Sequence, residues 1–432
     1  MARTWTDSQQ DAMNLRGRLL VVSAAAGSGK TSVLTERIIR MLTDRANPAE
    51  LSRMLIVTFT RAAAAELKSR IAAALGDALA ADPGNAHLSR QVLELGSAHI
   101  STIDAFFGEE VRAGFAQLGL PPAFRIADET ELDELALPLM EDTLSELYDT
   151  YATTACAAPD DPFARLRDNR FAGLMDHLLA NRRNDALPAQ LWNFYRRFAN
   201  YPEGLALLSS NADELRRAAA TDFFASLPGR TVRKTVSVRC RDTLQGLEAV
   251  LQALAGCDLL PKYEGCIRAD LEFCRSLLAV CGGECYDTAR AAVFSYLPGK
   301  LPAVRGEKPA ALEDYKALRD GLKAAVRDLQ TDYFAWSGEE IRRQLTLHAD
   351  ECEMLQILFS RFSEKLDAEK RLRGMLSFDD MPVLLRRLLE EPDGSPTPYA
   401  KSLSDRFDAV FIDEYQDVNP IQDRLFSDIG GD

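Results

Sequence analysis

The sequence contains no uninterrupted run of about 18 apolar residues, so no segment reads as a transmembrane helix. Nothing behind the opening Met1-Ala2-Arg3-Thr4-Trp5 resembles the apolar core of a signal peptide, and the cytoplasm is the expected compartment. There is no internal repeat, and no low-complexity tract beyond alanine-rich patches. An overall excess of positive charge is also missing. The net charge is −14, which disfavours a nucleic-acid partner in bulk but does not exclude one, because binding follows local charge. Residues 1–70 run the other way, with about eleven Lys and Arg against about six Asp and Glu. The eight cysteines do not form a disulfide framework, since a chain of this length without a signal peptide needs no staples. Six of them fall at Cys240, Cys257, Cys266, Cys274, Cys281 and Cys285 and are expected mostly as buried thiols. Cys281-Gly-Gly-Glu-Cys285 has a metal-clamping spacing, but no second close pair or nearby histidine completes a ligand set.

What is present is an ordinary globular composition, 47% apolar and 27% charged, in 432 residues, enough for two or three domains. Four short apolar runs predict buried parallel strands: Leu19-Leu20-Val21-Val22, Met54-Leu55-Ile56-Val57, His99-Ile100-Ser101-Thr102 and Ala409-Val410-Phe411-Ile412. Helical patterns at 32–43 and 62–75 separate the first three, and strand alternating with helix implies an α/β parallel sheet. Between about 120 and 385 the pattern becomes helical, with stripes such as Leu247, Val250, Leu251 and Leu254, and Leu355, Leu358, Phe359 and Phe362. Pro121-Pro122 marks the entrance to this insertion, and 298–309 reads as a loop within it.

Residues 24–31 read Ala24-Ala25-Ala26-Gly27-Ser28-Gly29-Lys30-Thr31 between an expected strand and an expected helix, the context a phosphate-binding loop requires. Gly27 and Gly29 let the backbone curl so that its N–H groups face phosphate, and the helix N-terminus adds positive potential. Lys30 is expected to reach the β- and γ-phosphates of ATP, and Thr31 to ligate Mg²⁺. The run at 409–412 ends in Asp413-Glu414. A carboxylate at a strand end holds Mg²⁺, here Asp413, and a neighbouring base orients the attacking water, here Glu414. The two motifs are expected on adjacent strands, at the carboxyl edge of the sheet where ligands bind.

Four further segments carry a family resemblance. Trp5-Thr6-Asp7-Ser8-Gln9-Gln10 resembles a motif whose glutamine, here Gln9, reads adenine through its amide. Thr58-Phe59-Thr60-Arg61 and Ser101-Thr102-Ile103-Asp104-Ala105-Phe106 resemble successive motifs that contact single-stranded DNA. Asp413-Glu414-Tyr415-Gln416-Asp417, followed by Asn419-Pro420-Ile421-Gln422, resembles the helicase form of the acidic motif. Together they resemble the superfamily 1 DNA helicases of the UvrD/Rep type. Phe124-Arg125-Ile126-Ala127-Asp128-Glu129 and Leu376-Ser377-Phe378-Asp379-Asp380 look most like the N-terminal part of the AddA subunits of AddAB helicase-nucleases. The resemblance is specific over about 1–130 and 370–425. It implies DNA contacts at Thr58, Phe59, Thr60, Arg61, Thr102, Asp104 and Phe106, where the rings can stack on bases and Thr58, Thr60 and Arg61 can meet phosphate, with ordinary core packing left open as the other reading of Phe59 and Phe106.

The layout expected is a P-loop, RecA-like parallel sheet domain with its first part in 1–118. An all-helical insertion follows in 119–390, and a return to the sheet domain in 391–432, incomplete at its C-terminus. The resemblance further implies an ATP-dependent 3′–5′ DNA helicase motor subunit with a role in double-strand break repair and recombination. Its partners would be single-stranded and duplex DNA and an AddB-like protein, with no membrane. The chain is expected to be the front of a longer protein, inactive as a motor by itself. Two other readings stay open: a UvrD/Rep-type repair helicase without a nuclease, and an ATP-gated DNA-binding module. Arg230, Arg233, Lys234, Arg239 and Arg241 form either a duplex-phosphate patch or a solvated basic face.

Overall fold

In the computed structural model the run Met54–Thr58 is a strand buried along its whole length. The structure describes residues 5–15, 17, 19–25, 27–153, 170–179, 187–283, 285–303 and 309–430. The strands are β1 (Met54–Thr58), β2 (His99–Thr102), β3 (Arg125–Ile126), β4 (Met375–Leu376) and β5 (Ala409–Ile412). The helices begin with α1 (Asp7–Asn14), α2 (Lys30–Leu42), α3 (Arg61–Ala81), α4 (Ala86–Glu94), α5 (Ile103–Ala113) and α6 (Glu129–Thr153). Next come α7 (Arg170–Leu179), α8 (Leu187–Phe198), α9 (Ala206–Ala220), α10 (Leu227–Ala253), α11 (Leu260–Gly282) and α12 (Tyr286–Phe294). The last are α13 (Ala310–Asp328), α14 (Gly338–Leu372), α15 (Asp380–Leu389), α16 (Pro398–Arg406) and α17 (Pro420–Gly430).

The chain forms two compact units. The first takes residues 1–150, 179–205 and 358–432, and the second takes 151–178 and 206–357. Of the stretch 119–390 read as the insertion, only those last two segments belong to the second unit.

The first unit is built on a three-stranded parallel sheet in the order β2-β1-β5, with Val57 opposite both Ser101 and Ile412. A central strand is covered on both faces, so it is apolar throughout rather than alternating. Leu55 and Val57 enter a core with Phe106, Phe107, Leu385 and Phe426. Met54 and Ile56 point the other way, toward Ile38, Leu67 and Ile71 of α2 and α3, as the two-residue period of a strand requires. A smaller parallel pair joins β3 to β4, so the segments beginning at Phe124 and ending at Asp380 meet across 250 residues of sequence.

One expected strand is absent. Leu19, Leu20, Val21 and Val22 form no ladder and are 77%, 38%, 68% and 47% exposed. A strand exists only where a neighbour's edge takes its N–H and C=O groups. Among the described residues no strand lies on the outer side of β5. The phosphate loop and the acidic segment are therefore not carried by adjacent strands; the loop reaches β5 through the start of α2.

The second unit is helical. Phe224, Leu247, Val250, Leu254, Leu271, Tyr315 and Phe334 are buried in its core. Asp270 and Arg319 pair there at 3.0 Å with both side chains only 2% exposed, and Tyr296 and Tyr315 donate to the two carboxylate oxygens of Asp270. Among the described residues no helix is long and apolar enough to cross a membrane.

Candidate nucleotide and nucleic-acid site

Helix α2 starts abruptly because the loop before it turns through two left-handed glycines, Gly27 at φ 76° and Gly29 at φ 87°. A side chain at either position would meet a backbone conformation that L-residues avoid, which is why glycine stands there. The curl aims the first N–H groups of α2, otherwise unpaired, out of the helix end. Lys30 folds back so that its Nζ donates to the Ala24 carbonyl at 3.1 Å, holding the ammonium across the loop. Ala25 and Ser28 complete the turn, with the Ser28 N–H donating to the Ala25 carbonyl at 3.3 Å. Ala26 lies outside the described residues.

The acidic segment closes on this loop. Thr31 Oγ1 donates to Asp413 Oδ2 at 3.4 Å, across 382 residues of sequence. Glu414, next to it, is the one described non-glycine residue with positive φ, at 56°. Strain of this kind persists only where the surroundings over-determine it. Here the Glu414 N–H donates to Asp413 Oδ1 at 3.1 Å, and Gln416 Nε2 donates to the Glu414 carboxylate. Tyr415 donates to Asp423 on α17. Gln9 belongs to the same cluster. Its amide closes a capping box with Thr6 at the start of α1, while Nε2 donates to the Ser28 carbonyl at 3.0 Å. A hydroxyl and a carboxylate brought together, beside a glycine-turned helix start and a lysine, are a donor set that fits a Mg²⁺-bound nucleotide.

The segments expected to touch DNA occupy the carboxyl ends of β1 and β2, where Thr58 and Thr102 are opposite each other in register. Thr60 caps α3 by accepting from the Ala63 N–H at 3.1 Å, and Thr102 caps α5 by accepting from the Ala105 N–H at 3.2 Å. Two helix N-termini thus open at neighbouring strand ends, each a ready anion site. Arg61 is exposed beside them, and Phe59 is half-buried against the core. Asp104 is exposed as a residue. Partial burial of its carboxyl, and then the Asp379 carboxylate, hold it above the usual carboxylate range. Two of the expected contacts are not at the surface. Thr58 is 2% exposed, and Phe106 is 1% exposed with its ring against Phe107 and Phe407 at 6.1 Å each. Phe106 sits on the stripe Ile103, Phe106, Phe107, Glu110 and Val111 that α5 buries, so its face is spent on packing rather than on a base.

On α10, Arg230, Lys234, Arg239 and Arg241 are exposed, while Arg233 donates to the Gly283 carbonyl at 3.2 Å. Burial pushes the Cys240 thiol up to about 11 and those of Cys274 and Cys281 up to about 12. Cys257 and Cys266 are half-buried and Cys285 is exposed. Among the described residues the side chains gathered closely enough to hold a metal are not cysteines but His177, His348 and Glu351.

Residues 5–432 match the family described as "UvrD/REP helicase N-terminal domain". The chain is similar to bacterial proteins of the AddA kind, each named as one subunit of an ATP-dependent helicase/nuclease. It is 35% identical to that of Moorella thermoacetica over 438 residues, 98% of this chain and 30% of the relative. For Geobacillus thermodenitrificans the figures are 32% over 432 residues, 98% and 33%. For Acetivibrio thermocellus they are 31% over 434 residues, 98% and 33%. The chain thus spans about a third of the length of the curated relatives it matches.

Proposed function

The chain belongs to the UvrD/REP helicase family, matching that family's N-terminal domain over residues 5–432, and from that we propose that it is the ATP-binding part of a 3′–5′ DNA helicase motor. The motor is that of a helicase-nuclease which works with an AddB-like partner on single-stranded and duplex DNA, in double-strand break repair and recombination. The observation that carries the reading is the bond between Thr31 and Asp413, which unites the phosphate loop and the acidic strand end.

In this reading residues 1–118 and 391–432 supply the sheet domain, and the helical insertion expected over 119–390 narrows to the second unit, 151–178 and 206–357, because the rest of that stretch, with the strand pair β3–β4, belongs to the first unit. The N–H groups of Gly27, Ser28, Gly29 and Lys30 and the start of α2 receive the phosphates, with Ala24 and Ala25 leading into the loop and Ala26 counted in it by its place in the motif. Lys30 exchanges the Ala24 carbonyl for phosphate oxygens. Thr31 and Asp413 would hold Mg²⁺, which when bound would supply positive charge against the phosphates of the nucleotide. Glu414, fixed by Gln416 and its own backbone, orients water toward the γ-phosphate. Gln9 meets the adenine edge. Arg61, Thr60, Thr102, Asp104 and the exposed side of Phe59 face the DNA strand at the ends of β1 and β2. The exposed basic stripe of α10 supports an assignment to duplex phosphates.

Lys30→Ala is expected to weaken binding of a fluorescent ATP analogue by at least tenfold while leaving the far-ultraviolet circular dichroism unchanged. Equal affinity in a folded variant contradicts the assignment of the loop.

A further inference from the structure

The second unit holds a cluster of chemistry-bearing side chains that the motor reading does not use. His348 and Glu351 lie three residues apart on α14, a spacing that puts both on one helix face. His177 comes to them from α7, 174 residues before Glu351. The Glu351 carboxylate is buried, and each of its oxygens meets one imidazole. His177 Nδ1 lies 2.6 Å from Oε1, and His348 Nδ1 lies 2.8 Å from Oε2. The ring centroids are 6.1 Å apart, and one ligating atom from each of the three residues lies within 4.8 Å of the others. The adjoining acids of α14 are matched differently. Asp350 takes Arg170 and Arg216 at 3.0 Å each, and Glu353 takes Arg216, with Arg170 at 3.5 Å. Guanidinium groups thus compensate Asp350 and Glu353, while Glu351 is given to two imidazoles.

We propose that His177, His348 and Glu351 form a three-ligand site for a divalent transition-metal ion, zinc foremost, with solvent in the remaining position. Two imidazoles and a carboxylate are a set that zinc takes when one coordination place stays open, and imidazole nitrogen selects this class of ion over magnesium or calcium. Ligands at zinc–ligand distances near 2.1 Å stand roughly 3.4 Å apart in a tetrahedron. A separation of 4.8 Å therefore closes by about 1.4 Å, and the contacts at 2.6 and 2.8 Å open by roughly 0.6–0.8 Å, movements within reach of imidazoles that are 60% and 46% exposed. Metal binding requires a lone pair on each ligating nitrogen. The Nδ1 proton of each imidazole accordingly moves to its Nε2, or to solvent if the ring was charged. The ion then ties α7 to α14 in place of the two hydrogen bonds.

The test is uptake of Zn²⁺ by the full chain under reducing conditions, titrated against a chromophoric chelator, with H177Q/H348Q as the comparison. The wild type is expected to bind one equivalent more than the double variant, and H348Q alone to weaken that equivalent by more than tenfold. Co²⁺ in the same place is expected to give visible d–d bands without thiolate charge transfer. Since His348 is exposed, H348Q preserves the fold, and circular dichroism verifies this. Equal uptake by wild type and both variants, or a cobalt spectrum dominated by thiolate charge transfer, overturns the site and moves the ion to cysteine.

Discussion

At the scale of single residues, two of the seven members of the expected DNA surface behave oppositely. Phe106 is packed among Phe107 and Phe407, whereas Arg61 is exposed at the start of α3. Phe106→Ala is expected to cost about 3–5 kcal/mol in chemical denaturation, as removal of a fully buried aromatic does. Arg61→Ala is expected to leave the denaturation midpoint unchanged. It should lower the slope of log affinity for single-stranded DNA against log salt by roughly 0.7, one phosphate contact. A stability loss for Arg61→Ala, or an unchanged slope, removes it from the DNA surface. The position of Phe106 was legible in the sequence, since 103, 106, 107, 110 and 111 are the spacing of a helix's buried stripe. The motif pattern points to the aromatic and is silent about its face. The phosphate loop was readable because its requirements are local: two glycines, a lysine and a hydroxyl within a few positions.

Elements are less local, and the sequence speaks of them only in part. Met54–Thr58 announces itself because burial on both faces demands apolar residues throughout. Leu19 to Val22 carry the same chemistry and yet form no strand, because strand status depends on a neighbour's edge and not on composition. The pairing of β3 with β4 and the meeting of α7 with α14 join residues about 170 to 250 apart, a distance over which no periodicity reports. The helix caps are testable at this scale. Thr60→Ala and Thr102→Ala should each cost about 1 kcal/mol, and serine should restore most of it, because the capping oxygen is what α3 and α5 use. If both alanine variants keep full stability and lose only DNA affinity, the hydroxyls serve phosphate rather than the helices.

For the whole molecule, the net charge of −14 does not describe every surface, since residues 1–70 carry about eleven Lys and Arg against about six Asp and Glu and binding follows local charge. If the α10 stripe meets duplex phosphates, replacing Arg230, Arg233 and Lys234 by alanine lowers the salt slope for duplex binding by roughly 2–3, about 0.9 for each contact. The single-strand slope should stay as it was. An unchanged duplex slope returns the stripe to the role of a solvated face.

The bond between Thr31 and Asp413 also has a meaning in time. A chain is made from its N-terminus at about 5–20 residues per second, so the phosphate loop leaves the ribosome roughly 20–75 s before its acidic counterpart. Throughout that interval α2, Gly27 and Gly29 can exist, but the oxygen pair made by Thr31 and Asp413 cannot. The candidate nucleotide site is thus begun by one stretch of the chain and finished only after 382 further residues have followed it.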